Sequence, residues 1–436
     1  MAVSTPTMAP LTRRSLLQQM AIGSGIVSVS GCIAPTIPGL SNGKGIPKPF
    51  TNDAYKASYV SDGRWAVEGH DGGRTSSASS TLPHGDVGVA WLRRPGTDPH
   101  GTTPPIVGPN RVYIGYTESS TDADNPDAYL AGFDAKTGNQ QLEKHLDTGR
   151  TVGLGLAGDR LLAVTRSPDY DQATLTALTR NGAIQWADTL PDVTGSPAIV
   201  DGTCYVATRN EENAVYAYSL DGTQQWRTSI DGECYTATCA DHDGVYVGLS
   251  DGRIAALNAS TGARRWSKQI ATPVECCPDI QATPTVADGR LYVPGLAGEL
   301  VAADTADGTV LWRTAVGDED DDNAIPSPAV TADTAYMNTY HEGLIAIDIA
   351  DGSIRWRSAE NGDNQPPAVG DGGVVVPQDD SVVAYETSDC PVWTIDIPVP
   401  DIGMAAYIMD TEVALAHEMC YVGVADGRLY AIGTHE

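Results

Sequence analysis

The chain has 436 residues, enough for two or three ordinary domains or one large repetitive one. Its 46 Gly and 28 Pro, against 2 Phe, favour many short strands joined by tight turns. With 27 Lys and Arg facing 56 Asp and Glu, a formal charge of −29 repels phosphate and argues against nucleic acid as a partner. The acids are spread through nearly every turn and not gathered in one tail, so the charge reads as solubility under salt screening.

The first residues form an address. In MAVSTPTMAPLTRRSLLQQMAIGSGIVSVSGC, Arg13 and Arg14 are the only charges, and the apolar run from Leu16 to Val29 is too short and too rich in Gly and Ser to span a bilayer. TRRSLL, Thr12–Leu17, resembles a twin-arginine export signal, with Leu16 at the usual Phe and Gln18 at the trailing Lys. VSGC, Val29–Cys32, resembles a lipobox, in which Cys32 is lipidated and becomes the first mature residue. That resemblance implies anchoring on the outer face of the cytoplasmic membrane; the plain alternative is a cleaved signal followed by an incidental Cys. Ile33 to Asp62 is rich in Pro, Gly and Ser and suits a flexible tether. The domain reading is therefore a signal peptide at 1–31, a tether at 32–62 and one folded domain at 63–436.

Within that domain the first strand is VGVAWLRR, Val87 to Arg94, carrying Trp91 and preceded by no partner strand. Thr103 to Leu142 follows as a unit with Leu142 where later units have Trp, and with the insertion TESSTDADNPDAY. Six further units end at Trp186, Trp226, Trp266, Trp312, Trp356 and Trp393, at intervals of about forty residues. Ser327 to Trp356, SPAVTADTAYMNTYHEGLIAIDIADGSIRW, is typical: four short apolar runs separated by three turn signals, which makes a four-stranded antiparallel sheet. Gly262, Gly308 and Gly352 sit just before the Trp strand, where the turn needs positive φ.

One such sheet cannot cover both its faces, so the units must stack around a ring, with each Trp filling the gap between neighbouring sheets. The C-terminus, Ala405 to Ile432, supplies three strands without a Trp strand of their own. Pairing them with the N-terminal Trp91 strand closes an all-β, eight-bladed β-propeller of four-stranded antiparallel blades; seven blades would follow if the Leu142 unit were incomplete.

The pattern A-x-D-x-x-T-G-x-x-x-W, as in ALNASTGARRW, AADTADGTVLW and AIDIADGSIRW, resembles the pyrroloquinoline-quinone (PQQ)-type propeller repeat. RWAVEGHDGGRTSS, Arg64 to Ser76, looks like the W-x-x-x-G-x-D-x-x-R-T segment that opens these propellers. The resemblance covers most of the chain and has two functional branches. One is the quinone-dependent alcohol and sugar dehydrogenases, which would imply PQQ with calcium. The other is the non-catalytic scaffold lipoproteins similar to the outer-membrane assembly propeller. The dispersed acidity resembles that of proteins from a halophilic archaeon.

Cys276-Cys277 is the one hint of the dehydrogenase branch, whose members carry an adjacent Cys pair beside the quinone, although in an earlier blade. No Glu, Asn and Asp set for calcium stands out, and no C-x-x-C-H haem site is present. Seven cysteines remain besides Cys32, in a compartment where disulfides persist. Cys234 with Cys276 or Cys277 is a candidate bridge between neighbouring blades, and Cys204 with Cys239 and Cys390 with Cys420 are others. GDEDDDNA, Gly317 to Ala324, starts like a calcium loop with Asp318, Asp320 and Asp322 but has Asn323 and Ala329 at the sixth and twelfth positions, so a solvated loop is expected. The resulting expectation is a monomeric, membrane-anchored cell-surface scaffold with no catalytic, cofactor or metal residues, binding a protein, peptide or glycan. The alternative is a quinone- or metal-dependent oxidoreductase.

Overall fold

The repeated Asp-Gly and Thr-Gly strings become hairpins: Gly262, Gly308 and Gly352 have φ of 69°, 74° and 77°, and the strand after each carries its Trp. A computed structural model describes residues 65–435, apart from 119–125, 211, 275–276, 318–324, 360–361, 379–380, 387–388, 398–411 and 425. Arg13, Arg14, Cys32, the tether, Cys276 and most of the acidic loop after Gly317 lie outside the described residues. Among those described there are strands and turns and no helix.

Eight sheets form. Blade 1 pairs Pro99–Thr102 and Ile106–Val107 with Arg111–Glu118, then Asp127–Asp134 and Gln140–Thr148. It is a complete blade even though Leu142 stands at the Trp position. Blade 2 runs Arg150–Ala157, Arg160–Arg166, Gln172–Thr179 and Ile184–Pro191 from axis to rim, and blade 3 runs Ala198–Val200, Thr203–Thr208, Ala214–Ser219 and Gln224–Ser229. Blades 4, 5, 6 and 7 repeat the order, with Cys234–Ala240, Thr285–Ala287, Ala329–Val330 and Ala368–Asp371 as their innermost strands.

Blade 8 joins the two ends of the described chain. Val413–Ala416, Met419–Gly423 and Leu429–Thr434 form its first three strands, and Val87–Arg93 is the fourth, antiparallel to Leu429–Thr434 with Trp91 opposite Ala431. The innermost strands neighbour one another in cyclic order, and Val413–Ala416 meets Ile106–Val107. No sheet in the ring is thereby left without a flank.

The seams between blades hold the core. Six of the rim Trp residues reach the next blade: the indole N–H donates to the carbonyl of Ala135 from Trp91, Leu220 from Trp186, Ala259 from Trp226, Thr305 from Trp266, Ile349 from Trp312 and Pro83 from Trp393, at 2.8–3.1 Å. Tyrosines of the second strands lie against the Trp of their own blade, as Tyr246 does with Trp266 (6.2 Å) and Tyr336 with Trp356 (6.0 Å). The ring face gives area burial while the N–H finds an acceptor, which lets a large polar-tipped aromatic sit inside.

Candidate functional site

Innermost strands of a propeller expose their unpaired amides to the central channel, a cost that something must meet. Here the lead-in segment, residues 65–82, winds once around the channel and meets it. Trp65 exchanges two main-chain bonds with Val107 of blade 1, and Leu156 N–H of blade 2 donates to the Ala66 carbonyl. The amides of Ala240, Val286, Val330 and Val369, in blades 4 to 7, donate in turn to the carbonyls of Gly72, Gly73, Thr75 and Ser76, at 2.7–2.8 Å. Ser77–Thr81 then runs parallel to Ala368–Asp371 as a fifth strand of blade 7. The approach is close enough to require glycine. A Cβ on Gly72 would lie 2.3 Å from Val200 Cγ2, and one on Gly73 would lie 2.4 Å from the Val286 carbonyl oxygen.

Arg74 and Glu412 connect the remaining two blades. Arg74, 2% exposed, donates from Nη2 to the Ser196 carbonyl of blade 3 at 2.7 Å and from Nε to the Thr238 carbonyl of blade 4 at 2.8 Å. Its own carbonyl accepts from Thr285 Oγ1 of blade 5. Glu68 Oε2 stands 3.4 Å from its guanidinium. Glu412, just ahead of blade 8, accepts from the Gly69 amide at 2.8 Å. Burial pushes the Glu412 carboxyl up to about 8; neighbouring Glu68 pushes the same way, and Arg74 opposes it.

His70 and Asp71 occupy the adjoining turn. Asp71 accepts from the Thr75 amide at 3.0 Å and from Thr75 Oγ1 at 2.7 Å, and His70 Nδ1 lies 3.5 Å from its other side. Burial alone would raise this carboxyl, but His70 and the Thr75 donors outweigh it and hold Asp71 below the usual range. The two residues line a cavity of about 280 Å³ whose other walls are Ala66, Val67, Gly72, Leu156 and Ile199. The arrangement offers an anionic oxygen at the edge of an apolar chamber on the ring axis.

Other candidate residues fall elsewhere. The cysteines do not form the expected bridges. Cys204, Cys234, Cys239 and Cys420 are free thiols buried in the sheets. Cys234 opens an inner strand, and its side chain packs with Ile230 and Leu249 in an apolar cluster. Desolvation pushes the Cys204 and Cys234 thiols up to about 12. Cys277 is exposed, and Cys390 is disulfide-bonded.

Among the described residues no three His, Cys, Asp or Glu side chains gather as a cation would need. The axial carboxylates do not fit a quinone-bound calcium either, because the guanidinium of Arg74 is packed among them and Glu412 favours its proton. The axial cluster itself went unread as a site in the sequence. RWAVEGHDGGRTSS reads only as the segment that opens the propeller, and nothing short of the ring places its Gly and charged residues at an axis.

A family profile described as outer membrane protein assembly factor BamB matches residues 126–293 and 275–435. A curated relative of that description from Yersinia pestis is 29% identical over 211 residues, 44% of this chain and 53% of the relative. The chain thus spans about half, or less, of the length of the first curated relatives it matches. Among solved structures, BamB from Moraxella catarrhalis superimposes with a TM-score of 0.58 at 18% identity, over 80% of this chain and 99% of that one. A europium-containing methanol dehydrogenase does so with a TM-score of 0.64 at 14% identity, over 85% and 98%. At such identities both likenesses speak to the fold alone.

Proposed function

This chain belongs to the outer membrane protein assembly factor BamB family, and from that premise we propose that it is an exported, non-catalytic propeller that binds protein at the cell surface. The observation that carries this reading is the occupied axis. This ring holds its own residues 65–82 at its axis, bonded to blade after blade. What is left for recognition is the outer surface and the cavity beside that segment. TRRSLL and VSGC support export and a lipid anchor at Cys32, with residues 33–62 as the tether, on the outer face of the cytoplasmic membrane. The dispersed acidity supports a salt-rich setting, as in a halophilic archaeon, and disfavours nucleic acid.

The test is in vivo cross-linking of the tethered protein followed by identification of the adducts. A reproducible membrane or envelope protein supports the scaffold, and a protein that cross-links to nothing refutes it. Cys32→Ala should release the protein to the medium; unchanged membrane retention would refute lipidation. The likeness to methanol dehydrogenase motivates the second reading, a quinone- and calcium-dependent alcohol or sugar oxidoreductase. Purified protein given PQQ, calcium, an alcohol or sugar and an artificial acceptor should show no turnover. Turnover abolished by chelation would establish the second reading.

A further inference from the structure

The cavity between the lead-in segment and blades 2 and 3 has a composition that the scaffold reading leaves unused. Leu156 and Ile199 stand at the ends of the innermost strands, beside the turns at 158–159 and 201–202, and Val67 and Ala66 face them from the segment. Those four side chains make an apolar sleeve. His70 and Asp71 form its polar end, with the Asp71 side chain 41% exposed. Each carboxylate oxygen already accepts from Thr75, which fixes the orientation of the acceptor before anything binds. His70 Nδ1 is buried and faces Asp71 Oδ2 at 3.5 Å. An apolar stem about four carbons long with a cationic head matches this sleeve and the Asp71 carboxylate at its end.

We infer that this axial cavity is a socket for a basic side chain, Lys or Arg, presented by the protein partner. The inference rests on the scaffold reading and adds the chemistry of the group that is gripped. The sleeve takes the methylene stem and Asp71 takes the ammonium or guanidinium, so the partner docks a protruding basic residue at the axis. A neutral or acidic residue in its place loses the charged contact and leaves the carboxylate facing an apolar group.

Agmatine, a four-carbon stem with a guanidinium at one end and an ammonium at the other, serves as the probe, titrated calorimetrically into purified full-length protein at low salt beside n-butanol as the neutral control. Agmatine should bind saturably at one site and weaken as salt is added, and n-butanol should not bind. Asp71→Asn and Ile199→Trp, one removing the charge and the other filling the sleeve, should each weaken agmatine at least tenfold, by analogy with paired charges at interfaces. Absence of saturable agmatine binding overturns the proposal. So does n-butanol binding equally well, or agmatine affinity left intact by both variants. Should Asp71→Asn fail to fold, Ile199→Trp, which keeps the carboxylate and its Thr75 bonds, decides alone. A chain that ignores agmatine yet still cross-links its partner loses the socket and keeps the scaffold; one that binds agmatine but cross-links nothing loses the scaffold.

Discussion

Gly262 of blade 4 lies so close to Trp226 of blade 3 that a Cβ built on it would stand 2.6 Å from the indole carbons. The same pairing recurs as Gly138 with Trp91, Gly222 with Trp186, Gly308 with Trp266 and Gly352 with Trp312. The two hallmarks of the repeat are therefore partners across a seam, each turn glycine closing over the Trp of the blade before it. Positive φ alone would explain a Gly or Asn at the turn; the seam explains why it must be Gly.

Gly262→Ala should therefore lower unfolding stability by about 2–4 kcal/mol, combining left-handed strain with overpacking against Trp226. Gly202→Ala is the matched control. Its φ is 76°, but a Cβ there meets nothing within 4 Å, so it should lose only about 1 kcal/mol from strain. Denaturant titrations of both variants compare the two terms, and equal losses would show that the seam contact is neutral.

Much of the ring was legible because its determinants are local and repeated. The Trp-ended units, the Gly turns and the orphan strand carrying Trp91 each have a period or a gap that sequence displays, and Trp91 lies opposite Ala431 of the last blade. The cysteines were misread for a reason of geometry. The candidate bridges joined cysteines of neighbouring blades, but Cys204, Cys234 and Cys239 are each buried within a strand of their own sheet as free thiols. The axial cluster was hidden because Gly69, Arg74, Ser196, Thr238 and Glu412 come together only once the ring exists, from parts of the chain separated by up to 343 residues.

The Arg74 side chain ties blades 3 and 4 together while its carbonyl holds blade 5, so loss of the side chain should be felt well beyond its own contacts. Arg74→Ala leaves the carbonyls of Ser196 and Thr238 without donors and Glu68 without its cation, and should cost about 3–5 kcal/mol. Arg74→Lys should fall between the two, since a single ammonium cannot reproduce the planar fork that reaches both carbonyls. Hydrogen exchange reports the cause directly. The amides of Val286, Val330 and Val369, which the lead-in segment covers, should lose protection in Arg74→Ala while strand amides nearer the rim keep theirs. Uniform protection across the ring would mean the segment is held without Arg74.

Thiol labelling tests the burial of the cysteines. Cys204, Cys234, Cys239 and Cys420 are enclosed, and desolvation raises all four thiols, so the reactive thiolate is scarce at pH 8. Native protein treated with iodoacetamide should leave these four unmodified by peptide mass mapping, and unfolded protein without reductant should show all four modified. Failure to label any of them after unfolding would reveal a bridge.

Glu412 gives the fold a pH dependence whose sign is fixed by its burial. The carboxyl titrates at about 8 in the folded chain, against an ordinary value of 4.5. Between those values the folded state keeps a proton that the unfolded chain has released, so it binds more protons there. Stability from this group is fully present below pH 4.5 and is lost as pH rises through 8. Glu412→Gln keeps an oxygen to accept from the Gly69 amide and removes the titration. The thermal midpoint of the wild type, measured from pH 5 to pH 9, should therefore decline relative to the Gln variant, with the gap opening toward the alkaline end. Parallel curves would mean that Glu412 is ionised throughout and that Arg74, 2% exposed and 3.4 Å from Glu68, balances both carboxylates at once. A gap that opened toward acid would place the Glu412 carboxyl below 4.5 and reverse the sign of its coupling to the ring.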